Sequence, residues 1–376
     1  MNNWKKRSDK FRRFSPGHSA AGFTLVEMLI AILVFMIIAG ASISLANKHV
    51  PLVSAQQNQA GLNLVMRNAV AQMQIDIVNA GSGYYPGANI PAFPIGVTIT
   101  NNIVTGTSNC YNSATFTYGQ DCFDILNVIT TDTTMSPSHP SDPGSSDNCH
   151  YTAQSSTLFV NASDGTATNQ YAANFHKNDE LLLIKSDGSQ MTTVVLTQDG
   201  QPTGTGVKLN HNPGNLDGSD PNELFGIAVS ADSNKLGTQF CPGDWVLRIK
   251  AVTYQVDASD PADPKLTRTV DGGNPDIIAD QIIGFKVGAM TWNTTVGDDQ
   301  ANYSFNAAEK PPSQGCTDNC GYNSDWSLIR SVMVSFIGRT APDYTNNFRN
   351  TFDSGPYKVQ AISVVINPRN LSMSGQ

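Results

Sequence analysis

One apolar stretch, residues 22–46, constrains the fold of this chain more than any other feature. It reads GFTLVEMLIAILVFMIIAGASISLA, and the 24 residues after Gly22 contain a single charged side chain, Glu27. About 20 apolar residues, rising about 1.5 Å each in a helix, cross the roughly 30 Å hydrocarbon core of a bilayer. A carboxylate inside such a helix is costly in lipid and marks either function or a polar partner. The stretch therefore predicts a membrane-spanning helix whose one charge has a role.

The residues before this stretch, 1–22, have a different composition. They carry one acidic residue, Asp9, and six basic ones: Lys5, Lys6, Arg7, Lys10, Arg12 and Arg13. A basic flank next to an apolar span stays on the cytoplasmic side, so the rest of the chain is expected outside the inner membrane. The leader ends in the small residues SAAG, which suit a cleavage site just before Phe23.

The junction reads Gly22-Phe23-Thr24-Leu25-Val26-Glu27. With its basic leader and apolar helix, it resembles the processing motif of type IV prepilins and related pseudopilins. The resemblance implies that a prepilin peptidase cleaves between Gly22 and Phe23 and methylates the new amino group of Phe23. It also implies a role for Glu27 in subunit assembly, because a carboxylate buried among helices needs a cation and the terminal amine of a neighbouring subunit supplies one.

Other classes of protein share parts of this pattern. A Sec signal peptide also has a basic and an apolar region, and SLA at 44–46 or AGA at 39–41 could serve as its cleavage site. Its apolar region is usually only 7–15 residues long, however, and would contain Glu27 without reason. A plain anchor leaves Glu27 and the Gly22–Phe23 junction unexplained. Both alternatives would make the chain a membrane-anchored or exported β-rich binding protein.

The helix is expected to continue beyond the membrane stretch. Apolar residues recur at spacings of four, four, three, four and three, which places them on one helical face: Leu62, Met66, Val70, Met73, Ile77 and Ala80. Gly81 then supplies a C-cap. We therefore expect a helix over 23–80, with 23–46 in the membrane and 62–80 packed on a head formed by residues 81–376.

The head, residues 81–376, has the composition of an extracytoplasmic β-rich domain. The net charge of the whole chain is −8, and removing the leader, with six basic residues and one acidic one, makes it −13. So acidic a chain argues against nucleic-acid binding by simple electrostatics. Runs rich in β-branched residues predict strands at 96–100, 114–118, 125–130, 157–160, 181–185, 192–197 and 245–256. Between them, segments rich in turn-forming residues predict long loops at 131–148, 199–223, 257–275 and 293–325.

All six cysteines follow the membrane stretch: Cys110, Cys122, Cys149, Cys241, Cys316 and Cys320. An even number outside the inner membrane is typical of disulfides. Fifteen pairings are possible. Spacing favours Cys110 with Cys122 and Cys316 with Cys320, which leaves Cys149 for Cys241. A zinc site is the competing interpretation, although the chain has no CxxC and no paired histidine ligands.

The C-terminal segments resemble those of PilW-type minor pilins. The similar segments are the strand-like runs at 277–287, 326–337 and 359–371, together with the helix end MQIDIVNAG at 73–81. The resemblance implies an α+β, pilin-like fold in which a long N-terminal helix packs on an antiparallel β-sheet with large loop insertions. It also implies a minor pilin that helps to prime or assemble type IV pili, a class linked to cell adhesion. A pseudopilin of a type II secretion system remains the alternative within this class.

The same resemblance sets the expected partners and location. The partners are a prepilin peptidase, major and minor pilins, the inner-membrane assembly platform and, before assembly, membrane lipid. The chain is expected in the inner membrane with its head in the periplasm, and then in the pilus fibre. No HExxH, GxSxG or GxxxxGK[ST] motif is present, so we expect no enzyme and no cofactor. Asp217, Asp220 and Glu223 could offer calcium ligands at turn spacing, but a solvated turn explains them better.

Overall fold

The computed structural model describes residues 22–82, 96–100, 110–141, 149, 151–212, 223–224, 227–228, 235–293, 298–299, 329–342 and 348–372. The chain divides into two compact units, Met1–Gln56 and Gln57–Gln376. The first contains the beginning of the long helix. The second contains the rest of that helix and all the strands.

Helix α1, Leu25–Val78, is 54 residues long and continues through Pro51. Its buried side chains recur at spacings of four, three, four and four: Leu62, Met66, Ala69, Met73 and Ile77. This spacing puts them on one helical face, as the apolar pattern predicts, with Ala69 rather than Val70 fully buried. Gly81 has a φ of 70°, the left-handed conformation of a helix C-cap, and its N–H donates to the carbonyl of Ile129 at 2.9 Å.

The head is built from short antiparallel strands. Up to residue 212 the described strands are β1 (Val97–Thr100), β2 (Tyr111–Asn112), β3 (Thr117–Tyr118), β4 (Ile125–Thr131), β5 (Ser138–Pro140), β6 (Thr157–Ala162), β7 (Glu180–Ile184), β8 (Met191–Val195), β9 (Gln201–Thr203) and β10 (Gly206–Asn210). A 3₁₀-helix, Gln120–Cys122, precedes β4, and helix α2, Thr168–Ala172, lies between β6 and β7.

The later described strands include the longest ones. They are β11 (Glu223–Leu224), β12 (Ile227–Ala228), β13 (Trp245–Asp257), β14 (Lys265–Val270), β15 (Asp276–Asp280), β16 (Ile282–Asn293), β17 (Asp298–Asp299), β18 (Ile329–Arg339) and β19 (Val359–Ile366). A short helix, α3 (Arg369–Ser372), follows β19.

Strand β13 connects the two parts of an eleven-stranded antiparallel sheet. Its first residues pair with β5 and β7, and its later residues pair with β4 and β14. One part of the sheet therefore runs β1-β4-β13-β14-β15. The other runs β9-β10-β6-β5-β13-β7-β8. A strand of 13 residues is long enough to serve both parts.

Each part of this sheet covers its own hydrophobic core. The first core contains the buried face of α1 and side chains of β1, β4, β13, β16 and β18, with Phe285 and Phe336 stacked at 5.6 Å between ring centroids. The second core contains aromatic and aliphatic residues of segment 135–246, among them Tyr171, Phe175 and Phe240. The insertion between β4 and β13 thus forms a hydrophobic core of its own.

A second sheet has the order β17-β16-β18-β19 and also contributes to the first core. It lies directly against α1 at Gly338 in β18. A Cβ built on Gly338 would lie 2.8 Å from Leu62 Cδ1 and 3.0 Å from Met66 Sδ. Glycine at this position therefore lets the helix lie directly on the strand.

Three of the predicted loops contain strands of the large sheet. Segment 131–148 contains β5, segment 199–223 contains β9 and β10, and segment 257–275 contains β14. The long insertions are present, but the interpretation of these three as loops without strands was wrong. The single strand predicted at 277–287 is also wrong, because Gln281 has a φ of 57° and separates β15 in one sheet from β16 in the other.

Candidate functional site

The start of α1 is held by a reciprocal pair of side-chain contacts. The backbone N–H of Thr24 donates to Glu27 Oε2 at 2.9 Å, and the Thr24 hydroxyl donates to the same oxygen at 3.0 Å. The backbone N–H of Glu27 in turn donates to Thr24 Oγ1 at 3.3 Å. This is a capping box, in which the two residues satisfy N–H groups that the first helical turn leaves without partners. One oxygen of Glu27 is thereby fixed beside the helix start.

The first part of α1 presents an apolar surface all the way round. Large side chains such as Leu33, Phe35 and Ile43 are mainly exposed, and Phe23, just before the helix, is 84% exposed. Among the described residues, α1 is the helix that is long and apolar enough to cross a membrane. An exposed helix that is apolar on every side needs lipid or other helices around it.

A polar side chain in this apolar segment is satisfied within the helix. The Ser42 hydroxyl donates to the carbonyl of Ile38, one turn earlier, at 2.8 Å. Such a bond lets a serine enter lipid without an unpaired donor. Glu27 differs, because its Oε1 accepts no hydrogen bond from the described part of the chain.

Residues 17–43 match the family model described as the prokaryotic N-terminal methylation motif. The chain is prepilin-like at its N-terminus. The matched residues contain Gly22, Phe23 and Glu27, and such a motif implies processing by a prepilin peptidase, anchoring in a membrane and incorporation into pili with other pilins. The motif is that of a structural subunit rather than of an enzyme. No curated protein and no solved structure matches the chain.

The structure places the predicted processing residues next to one another at the helix start. Gly22 and Phe23 precede the first turn and are exposed, and no described atom beyond the chain neighbours lies within 4 Å of a Cβ built on Gly22. An exposed, uncrowded junction is what a peptidase needs to reach a peptide bond. The basic residues of the leader, Lys5 to Arg13, lie outside the described residues.

The other end of α1 is tied to the sheet by a charged cluster. Arg268 Nε, from β14, donates to Asp76 Oδ2 at 2.8 Å, and Arg268 Nη2 lies 3.4 Å from Asp76 Oδ1. Tyr254, from β13, donates its hydroxyl to the same Asp76 oxygen. Burial, and then the hydrogen bond to Asp76, raises the pKa of Tyr254, so this hydroxyl stays protonated. The cluster fixes the last turn of α1 against two neighbouring strands.

The C-terminal residues of the described chain also hold this helix end. Asn370 Nδ2, in α3, donates to the carbonyl oxygens of Ala80 at 3.2 Å and of Asn79 at 3.5 Å. These carbonyls follow the last helical turn, where the chain leaves acceptors without helical partners. Leu371 beside Asn370 is fully buried and contacts Gly96 at the start of β1. The end of segment 359–371 therefore caps α1 through the side chain of Asn370.

The described part of the head contains two disulfides. Cys110 pairs with Cys122, and Cys149 pairs with Cys241. The first is a pair that spacing favours, and the second is the pair that remains by elimination. The other pair favoured by spacing, Cys316 with Cys320, lies outside the described residues.

A buried arginine that the sequence did not single out connects three loops. Arg339, at the end of β18, donates from Nε to Gln281 Oε1 at 2.6 Å, from Nη1 to the carbonyl of Phe116 at 2.8 Å and from Nη2 to the carbonyl of Ala262 at 2.6 Å. Its guanidinium lies 4.9 Å from the ring centroid of Tyr357. The partners are far apart in sequence and mostly backbone atoms, so only the fold identifies them.

Glu180 is a second buried ionisable side chain that the sequence did not reveal. It begins β7, is 8% exposed, and its Oε2 has no hydrogen-bond partner in the described part of the chain. Burial, followed by the charges of Asp271 and Asp179, raises the pKa of Glu180 well above its ordinary value. Arg248 lies nearby, but it pairs with Asp132 at 2.8 Å and with Asp179 at 3.4 Å.

The described residues contain no group of three histidine, cysteine or acidic side chains that could hold a metal ion. The calcium interpretation rests on Asp217, Asp220 and Glu223. Asp217, Asp220 and the side chain of Glu223 lie outside the described part of the chain.

Proposed function

We propose that this chain is a minor pilin, resembling the PilW type, that takes part in priming or assembling type IV pili. A prepilin peptidase cleaves between Gly22 and Phe23 and methylates the amine of Phe23. The mature chain then has a membrane and assembly segment at 23–46, a head-packed segment at 62–80 and a head at 81–376. Before assembly it spans the inner membrane once, with the head outside the cytoplasm.

The observation that supports this proposal best is the state of Glu27. Thr24 holds one carboxylate oxygen, Oε2, beside the helix start, while Oε1 accepts nothing from the described residues. A charged oxygen kept inside an apolar helix surface needs a cation when helices pack together. The terminal amine of Phe23 on a neighbouring subunit is a cation at the same depth in the bilayer, so the pair sets the register between subunits.

The partners follow from the same geometry. An apolar helix surface that is exposed on every side packs against the equivalent helices of major and minor pilins once it leaves the lipid. Contact with the inner-membrane assembly platform would bring the subunits together. The elaborate head, with its second core in segment 135–246, is larger than packing against α1 requires, which favours a specialised subunit over the main repeating one.

The test is incorporation of a Glu27→Ala variant into sheared pili. Processing should be intact, because cleavage occurs at the preceding junction. The amount of the variant chain in purified fibres should fall at least about tenfold, which corresponds to a loss of roughly 1.4 kcal/mol in the free energy of subunit docking. Ser44→Ala, in the same apolar segment, is the matched control and should incorporate normally. Undiminished incorporation of Glu27→Ala would contradict the register role.

A further inference from the structure

Strand β19 ends the four-stranded sheet and presents an open edge. It pairs with β18 through eight consecutive register positions without a shift. No strand in the described part of the chain pairs with its other side. Its sequence, VQAISVVI, contains neither charge nor proline. Long, regular, uncharged edges of this kind are templates for pairing with another strand.

In the described part of the chain, the other strands that end the two larger sheets are protected against such pairing. Strand β9 contains Pro202, and β15 begins and ends with Asp276 and Asp280 and has a register shift against β14. Strand β17 is only two residues long and both are aspartates. Strands β1 and β8 are almost wholly buried. Proline, charge, bulges, shortness and burial are the devices that natural sheets use at their edges, and β19 has none of them.

Both faces of β19 suit an added strand. Ile362 and Val364 pack against the first core, and they continue the rows formed by Phe336 and Val334 of β18. On the opposite face Ala361, Ser363 and Val365 are exposed, Val365 by 50%. A further strand would bury apolar surface on one face and meet small side chains on the other. It would take the place of the Gln360 side chain, whose Nε2 donates to the Ala361 carbonyl at 3.2 Å on this edge.

The charges at the two ends of β19 indicate what kind of strand fits. Lys358 precedes the strand and Arg369 follows it, although the mature chain carries a net charge of −13. A partner that is uncharged at its centre and acidic at its ends would complement both cations. This favours an external acidic segment over a basic one.

We propose that the edge of β19 left open by the described residues binds, by strand addition, an extended segment of a fibre subunit other than this chain. The segment is uncharged at its centre and acidic where it meets Lys358 and Arg369. Main-chain hydrogen bonds along the edge supply the affinity, and the end charges set the direction and register. The inference rests on the proposed function, since that function supplies the neighbouring subunits.

The experiment is photo-cross-linking of the full chain in cells that make the fibre. Benzoylphenylalanine is placed at Ala361, Ser363 or Val365, one position at a time, and at Ile277 on β15 as an exposed control. Successive same-face residues of paired strands lie two residues apart on both strands. The three β19 positions should therefore attach to one segment of one other subunit at points spaced by two residues, and Ile277 should not reach that segment.

A substitution supplies an independent readout. Val365→Lys puts a cation in the middle of the edge and should lower the yield of adducts from Ala361 at least about fivefold, while Ile277→Lys should change it less than about twofold. Adducts within this chain, adducts to a second copy, scattered attachment points or none at all would overturn the proposal. If Phe23 is nevertheless the methylated N-terminus of the mature chain, the proposed function stands and only strand addition fails.

Discussion

Asp76 in the last turn of α1 is paired with Arg268 of β14, with 2.8 Å between Oδ2 and Nε. An acidic side chain near a helix C-terminus is unfavourable because it faces the negative end of the helix dipole. Arg268 and the hydroxyl of Tyr254 offset that cost, and both Asp76 and Arg268 are largely buried. The contact joins residues 192 positions apart in the sequence and so ties the last turn of the helix to the sheet.

Removing the charge of Asp76 should destabilise the second unit. Asp76→Asn leaves Arg268 largely buried without its counter-ion, and we expect the free energy of unfolding to fall by about 2–3 kcal/mol. Urea unfolding of the detergent-solubilised chain measures this. Gln74→Ala, on the exposed side of the same helix, is the matched control. If Asp76→Asn lowers the free energy of unfolding no more than the control does, the Asp76–Arg268 pair contributes nothing to stability.

The Asn370 cap at the same helix end should contribute less to the free energy of unfolding than the Asp76–Arg268 pair, and its contribution should be separable. Asn370→Ala removes the side-chain donor to the carbonyls of Ala80 and Asn79, and a lost cap costs about 1 kcal/mol. Hydrogen exchange of the amides in the last turn of α1 is the most local measurement. It should speed up there and remain unchanged in the second core. Unaltered exchange in the last turn would contradict the capping role.

Glu180 makes stability depend on pH in a direction opposite to that of most carboxylates. Burial and the charges of Asp271 and Asp179 raise its pKa in the folded state. The folded chain therefore holds a proton that the unfolded chain has released. The resulting stabilisation is fully present below the ordinary pKa of glutamate and is lost as the pH rises through the higher folded value.

The variant Glu180→Gln tests this sign. It should raise the free energy of unfolding at pH 8 by on the order of 1–3 kcal/mol and change it little at pH 4.5, because the amide resembles the protonated acid. Asp276→Asn, the same change from acid to amide at the exposed start of β15, is the matched control. Equal effects of Glu180→Gln at both pH values would contradict a raised pKa.

The two described disulfides should contribute different amounts to the free energy of unfolding. Cys149 and Cys241 are 92 residues apart, whereas Cys110 and Cys122 are 12 apart. The longer loop restricts the unfolded chain more, so alanine at both Cys149 and Cys241 should cost about 2 kcal/mol more than alanine at both Cys110 and Cys122. Thermal unfolding of the two double variants under non-reducing conditions compares them. A larger loss from the shorter loop would contradict the chain-entropy argument.

Sequence patterns predicted those features that repeat locally. The spacing of Leu62, Met66, Met73 and Ile77 predicted the buried helix face, and β-branched runs predicted most of the strands in the first core. The patterns failed where a long-range contact decides the conformation. Gln281 lies in an alternating run that carries no sign of a left-handed residue, yet the change of sheet occurs there.

The same limit applies to the side chains that hold the fold together. Glu180 looks like the polar end of an apolar strand, and its burial depends on β13 and on the turn after β14. Arg339 interacts mainly with backbone carbonyls, which leave no residue-type signal. At the helix start, in contrast, Thr24 and Glu27 are three residues apart, so the processing motif and the capping box can both be seen in the sequence.

The mass of the N-terminal peptide of the mature chain tests the central claim most directly. If the chain is a processed pilin, intact-mass and peptide analysis of the protein from purified fibres will find a chain that begins at Phe23 and carries one N-methyl group. A chain that begins at Asn47 would indicate signal-peptidase cleavage, and one that keeps residues 1–22 would indicate a plain anchor. Either result would contradict the account.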